Sequence, residues 1–142
     1  MEQTFDKEEF LKQVNVGILA TIGPGNRLHA MPVWYVYEDG RVVITAARGS
    51  QKHRNIERNS EATLVIDRRE PPYYAVIVQG KAEIGPAPSD DLRLRIASRY
   101  LGDERGRAYV SQPSDGNSIT IYLYPEKFVE YHGVSRHDES EG

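Results

Sequence analysis

Arg48, Lys52, His53, Arg54 and Arg58 carry positive charge, or can, within one stretch, TAARGSQKHRNIERN, of a chain that is net acidic. The stretch reads as a strand end, a turn at Gly49 and the start of a basic helix. Ser50 stands where an N-cap stands, so the N–H groups behind it would point outward without helical partners. Open donors and the helix dipole favour an anion there, and Lys52 can set its ammonium on a phosphate. The chemistry on offer is the holding of a phosphorylated cofactor. The same residues would equally make a solvated basic helix face.

Other chemistry is scarce in this sequence. The absence of cysteine excludes a disulfide framework, a thiolate nucleophile and cysteine-ligated metal. His29, His53, His132 and His137 show no paired ligand spacing, so no metal site is expected. There is no serine in a nucleophile elbow, no GxGxxG and no Walker sequence. Tyrosines such as Tyr73, Tyr74, Tyr122, Tyr124 and Tyr131 suit strands on composition alone. A net charge of −3 over 142 residues favours neither nucleic acid nor an anionic membrane. The opening residues, MEQTFDKEEF, read as neither a signal nor a transit peptide. No apolar run approaches the ~20 residues of a membrane helix, and the cytoplasm is the expected location.

The elements that must position the basic segment follow from periodicity and turn chemistry. Asp6 and Glu9 resemble a capping box, with Phe5 and Phe10 as its staple, opening a short helix. GILATI, 17–22, reads as a strand ending in the turn Gly23–Asn26. Leu28 to Tyr37 reads as a second strand and Arg41 to Ala47 as a third, joined by a tight turn at Asp39-Gly40. Pro32 lies inside the second strand and donates no hydrogen bond, which marks an edge or a local break in pairing. After the basic helix, roughly 50–59, come strands over 62–67 and 73–84, the latter with a bulge at Gly80. Ser89 caps a helix of about 90–101 that ends at Gly102, with Leu92, Ile96, Tyr100 and Leu101 as its buried stripe. Residues 110–117 read as a loop. Ser118–Tyr124 is a strand that continues past Pro125 over Lys127–Tyr131, and 135–142 reads as a flexible tail. Tight turns between early strands predict a mainly antiparallel sheet, closed into a barrel with helices plugging or flanking it.

Three pieces then stand in order: GILATIGPGNRLHAMPVWYVYEDGRVVIT, AARGSQKHRNIERN and VIVQGKAEI. Their succession resembles the pyridoxamine 5'-phosphate oxidase-like split β-barrel family. Within it, the chain is most similar to the flavin/deazaflavin oxidoreductase branch, and RYLG, 99–102, resembles a feature of deazaflavin users. The resemblance covers about residues 5–131. It implies a single-domain, six-stranded antiparallel split barrel that forms a homodimer with two cofactor sites in the dimer cleft.

The resemblance further implies that a flavin-type ring rests against Met31, Pro32, Val33 and Trp34, with Thr45, Ala46 and Ala47 lining the ring and ribityl side. Arg48, Gly49, Ser50, Gln51 and Lys52 would hold the phosphate, with Asn55 close behind, and the partner's 73–84 strand would cover the other side. Ala46, Ala47 and Gly49 are small enough to let backbone approach a ligand. The implied activity is hydride transfer from deazaflavin coenzyme F-420, the favoured cofactor, or from FMN, to a planar conjugated acceptor of enone, quinone or tetrapyrrole type. No catalytic side chain is required, since the cofactor carries the chemistry. Two other readings stay open: a non-catalytic flavin-binding carrier or sensor, and a haem-binding split barrel.

Overall fold

The structure is a computed structural model that describes residues 5–112 and 116–133; the tail expected over 135–142 lies outside these residues. Seven strands form one antiparallel sheet: β1 (Gly17–Ile22), β2 (Leu28–Val33), β3 (Val36–Glu38), β4 (Arg41–Ala47), β5 (Glu61–Arg68), β6 (Tyr74–Gly85) and β7 (Ser118–His132). Their order across the sheet is β2-β1-β5-β6-β7-β4-β3. The edge strands β2 and β3 are therefore consecutive in sequence, separated only by Trp34 and Tyr35, which draws the two edges of the curled sheet together. The mainly β split barrel is as expected, with seven strands in place of six.

The extra strand has its cause in a residue distant in sequence. The segment expected as one strand, Leu28–Tyr37, breaks where the hydroxyl of Tyr100 takes over the backbone of Tyr35. It accepts from Tyr35 N at 3.1 Å, and Asn15 O (2.8 Å) and Tyr35 O (3.2 Å) lie within reach as acceptors. Arg99 secures the same corner by donating to Lys12 O and Gln13 O at 3.0 and 2.9 Å. These two residues belong to the RYLG segment, so its visible task here is to pin the crossover between sheet edges.

Alternation sets the barrel interior. Leu19, Leu64, Ile66, Val76, Val78, Ile121 and Leu123 point inward and are at most 1 % exposed. The turn between β3 and β4 has Asp39 and Gly40 both at positive φ (54° and 71°), the requirement of the two-residue hairpin expected there. The expected irregularity at Gly80 is also present. Gln79 faces Lys127 but Gly80 faces Pro125, and a side chain at Gly80 would strike the carbonyl of Tyr124.

Among the described residues four α-helices complete the fold. Helix α1 (Lys7–Lys12) is capped by Asp6, which accepts from Glu9 N at 3.1 Å, and buries Phe10 and Leu11. Phe5 and Phe10 meet edge-on at 6.4 Å, and both pack on Tyr74. Helix α2 (Gln51–Arg58) packs against β1 and β6 and sends Ile56 into the core. Helix α3 (Asp90–Leu101) covers the outer face of β3 and β4, where Leu92 and Ile96 meet Val36 and Val43. Helix α4 (Asp103–Ser111) occupies sequence expected in part as loop. It presses its one buried residue, Gly106, onto Ser98 of α3, where a Cβ would lie 2.7 Å from the hydroxyl.

Candidate functional site

The split of the barrel can be read from the ladder. Strand β2 pairs only with β1. On the other side of the seam, β3 covers β4 from Arg41 to Val43, whereas Ile44–Ala47 pairs only with β7. The free edge of β2 and the free edge of the second half of β4 thus border the same opening. Val33 is three residues from Val36, which faces Val43, so the strands enter the opening side by side. Unpaired backbone groups on both borders are available to the polar rim of a flat ligand. Pro32, on the edge strand β2, contributes no donor there.

The opening leads to the start of α2. Ser50 N donates to Ala47 O at 3.1 Å across a turn that places Gly49 at φ 80°, a conformation that glycine adopts without steric cost. Gly49 N donates to Nδ1 of His53 at 2.8 Å, and Nε2 of His53 lies 3.4 Å from Glu57 Oε1. His53 is 7 % exposed, so it is an internal strut of the turn rather than a member of the basic cluster. Ser50 caps the helix by accepting from His53 N at 3.4 Å, which leaves its own O–H proton free to donate. The N–H groups of Gln51 and Lys52 are the first of the helix and have no intrahelical acceptor.

Among the basic side chains, Arg54 donates to Gln51 Oε1 at 2.7 Å. Lys52, Arg48 and Arg58 form no side-chain bond or ion pair within the described residues; Arg48 and Arg58 are exposed and Lys52 is partly so. Asn55 is wholly buried behind them. Its Nδ2 donates to Thr21 Oγ1 at 3.0 Å and its Oδ1 accepts from Gln51 Nε2 at 2.7 Å. Asn55 and Gln51 therefore spend their amides on fixing α2 against β1.

A concavity of about 410 Å³ lies between the start of β2 and the start of α2, lined by Gly23, Pro24, Arg27, Leu28 and His29 on one side and Gln51 and Asn55 on the other. The structure thus brings the start of β2 to the start of α2. It sorts the remaining expected residues by environment. Met31 (42 % exposed) and Pro32 are on the surface, while Val33 and Ala46 belong to the barrel core. Thr45 is half-buried and Ala47 exposed. Trp34 stacks on Tyr100 at 4.9 Å and 6° and packs with the α3 cluster, away from the α2 start. Arg27 and His29 are additions that the sequence reading did not select. Their only signal was a basic pair flanking Leu28 just after the Gly23–Asn26 turn. Nδ1 of His29 is buried without a hydrogen-bond partner.

A family model described as pyridoxamine 5'-phosphate oxidase matches residues 6–129. The chain belongs to the pyridoxamine 5'-phosphate oxidase family. Similar solved structures share its fold. A protein described as an F420 reductase is 24% identical, with 89% of this chain and 98% of that chain covered and a TM-score of 0.75. The conserved hypothetical protein Rv2991 from Mycobacterium tuberculosis is 21% identical, covering 93% and 90%, with a TM-score of 0.76. HutZ, the heme storage protein from Vibrio cholerae, is 16% identical, covering 88% and 90%, with a TM-score of 0.66. No curated protein sequence matches the chain. Among the described residues no group of three His, Asp or Glu gathers as metal ligands, and no helix is long and apolar enough to cross a membrane.

Proposed function

We propose that the protein is an oxidoreductase that binds deazaflavin coenzyme F-420, or alternatively FMN, and reduces a planar conjugated acceptor of enone, quinone or tetrapyrrole type. The observation that carries this reading is the start of α2. Two N–H groups without helical partners, a free hydroxyl proton and an unpaired lysine converge there, at the end of an opening bordered by two unpaired strand edges. These residues fit a ligand with a phosphate at one end and a flat ring at the other.

When bound, such a cofactor supplies the hydride transfer itself. The chain's own residues bind and orient. The N–H groups of Gln51 and Lys52, the Ser50 hydroxyl and the Lys52 ammonium hold phosphate oxygens through charge-assisted hydrogen bonds. Asn55 and His53 keep that cradle in place without touching the ligand. Met31, Pro32, Thr45 and Ala47 border the ring. The similarity to an F420 reductase across nearly the whole chain supports the deazaflavin over FMN, and the exposed Arg48 and Arg58 suit its acidic tail.

The site is completed by a second copy. Pro32, Ile18, Val65, Ile77 and Val129 are register partners in one row across five strands, all on the outer face. Among the described residues no element covers that apolar row, whereas the outer face of β3 and β4 is covered by α3. A two-fold dimer through the row would shield it and bring the partner's β6 over the opening.

The visible spectrum of the protein after incubation with each cofactor, followed by turnover of the reduced form with enones and quinones, tests the reading. Cofactor-dependent reduction of at least one conjugated acceptor is expected. Binding with no turnover across such a set would reduce the protein to a carrier, and a haem spectrum alone would replace the reading.

A further inference from the structure

His53 can hold the turn ahead of α2 in one protonation state only. A backbone N–H donates and cannot accept, so the 2.8 Å bond from Gly49 N fixes Nδ1 of His53 as an acceptor with a bare lone pair. The one proton of the neutral ring then sits on Nε2, 3.4 Å from the Glu57 carboxylate. A second proton has to go to Nδ1, where it would meet the Gly49 N–H donor to donor. The residue is 7% exposed, so little water reaches that contact to replace the lost bond.

The turn is held by bonds rather than by packing, because a Cβ at Gly49 would meet nothing within 4 Å. On the strand side the bonds run from Arg48 N to Asn117 O (2.9 Å) and from Ser50 N to Ala47 O (3.1 Å). On the helix side both side-chain bonds run through residue 53: Gly49 N to Nδ1, and the longer cap bond from His53 N to Ser50 Oγ at 3.4 Å. Losing the first frees Gly49 and, next to it, Ser50 with its hydroxyl. The charged groups around the ring act on its proton in opposite senses. Lys52 and Arg54 beside it on α2 and Arg48 on the turn resist a further proton, whereas Glu57 favours one. Of the strands packed on α2, β1 has no charged side chain, and Lys81 and Glu83 of β6 belong to its exposed outer set.

We propose that His53 is a positioning residue for the ligand's phosphate that works only as the neutral ring, so that the site releases its anion as His53 takes up a second proton. The inference rests on the proposed cofactor reading for the identity of the anion alone. Affinity is highest above the range in which an imidazole changes charge, between about pH 5 and 8, and falls as pH drops through it. An imidazolium that bound the phosphate itself would act in the opposite direction and strengthen binding on acidification. Glu57 sets where release occurs. Its charge favours the imidazolium, so release lies at a higher pH than it would beside a neutral side chain.

NMR of the full chain without any cofactor tests the latch first. Ring-nitrogen spectra should show Nδ1 of His53 bare at about pH 8, and the Gly49 amide should lose its hydrogen-bonded shift as the ring is protonated toward about pH 5. His53→Asn keeps an acceptor oxygen near the Nδ1 position and takes no proton, so its Gly49 amide should stay in place. A proton on Nδ1 at the higher pH, or a Gly49 amide that ignores protonation of the ring, would overturn the inference. FMN and deazaflavin coenzyme F-420 are then titrated at the two pH values. On acidification wild type should lose roughly tenfold more affinity than His53→Asn, in which only the ligand's own phosphate titrates. His53→Leu, with no acceptor, should bind at the higher pH as weakly as wild type at the lower, and Glu57→Gln should move release to lower pH. Equal pH dependence in wild type and His53→Asn, or tighter wild-type binding at the lower pH, would also overturn the inference. If neither cofactor binds at any pH, the cofactor reading fails, while the NMR titration still decides the latch.

Discussion

The α2 start depends on one buried amide, and Asn55→Ala is the perturbation that exposes this. Asn55 is 0% exposed and Thr21, its partner, 1%. Removing the amide strands Thr21 Oγ1 in the interior, which costs about 1–3 kcal/mol, the desolvation penalty of a buried polar group without its partner. Gln51 Nε2 loses its acceptor too, but it is only half-buried, so that bond is worth about 0.5–1.5 kcal/mol. The sum is about 3 kcal/mol, or a fall in Tm of roughly 10 °C for a chain of this size.

The assay is urea and thermal unfolding of Asn55→Ala, Thr21→Val and the double variant. Removing both polar partners leaves no fully buried orphan, since Gln51 is only half-buried. The double variant should therefore be more stable than the sum of the singles predicts by about 1–2 kcal/mol. A change below about 0.5 kcal/mol in Asn55→Ala, with strictly additive singles, would refute the claim that this amide fixes the helix.

Three further outcomes are expected. The protein should be a dimer by light scattering, burying on the order of 2,000 Å², and Ile77→Lys, in the middle of the apolar row, should make it monomeric. Replacing Arg48 and Arg58 by Gln should weaken a long-tailed deazaflavin more than FMN at low salt, and the difference should shrink as salt rises, as fluorescence titration at two salt levels would show. Burial, followed by the nearby Glu8 carboxylate, pushes Tyr37 up to about 12 from its ordinary 10.0. Its neutral form thus supports the fold fully below pH ~10 and loses that contribution as pH rises through about 12. Urea midpoints across this window should fall less steeply in Tyr37→Phe.

Much of the fold was legible because its signals are local. Asp39-Gly40 demands its hairpin turn, Ser50 and Ser89 demand helix starts, and Gly80 marks an irregularity that any side chain would block. The break at Trp34–Tyr35 was not legible, because Tyr100, distant in sequence, causes it. Helix α4 carries a glycine in its middle, no side-chain cap and a single buried residue, so its sequence offered no clear period. The basic turn was found from charge and capping alone. The division of labour within it depends on tertiary neighbours. Nothing in the sequence says that Asn55 faces Thr21 or that His53 accepts from Gly49, nor does it place Arg27 and His29 beside Gln51.

The central claim is that Lys52, Ser50 and the first N–H groups of α2 hold a cofactor phosphate. Titration of deazaflavin coenzyme F-420 and of FMN into wild type and Lys52→Ala tests it most directly. The account predicts that wild type binds the deazaflavin, and that Lys52→Ala weakens it by about 1.5–3 kcal/mol, the worth of a hydrogen bond to a charged group, with unfolding unchanged. Equal affinity of wild type and Lys52→Ala for every cofactor they bind would contradict it and leave the segment a solvated basic face.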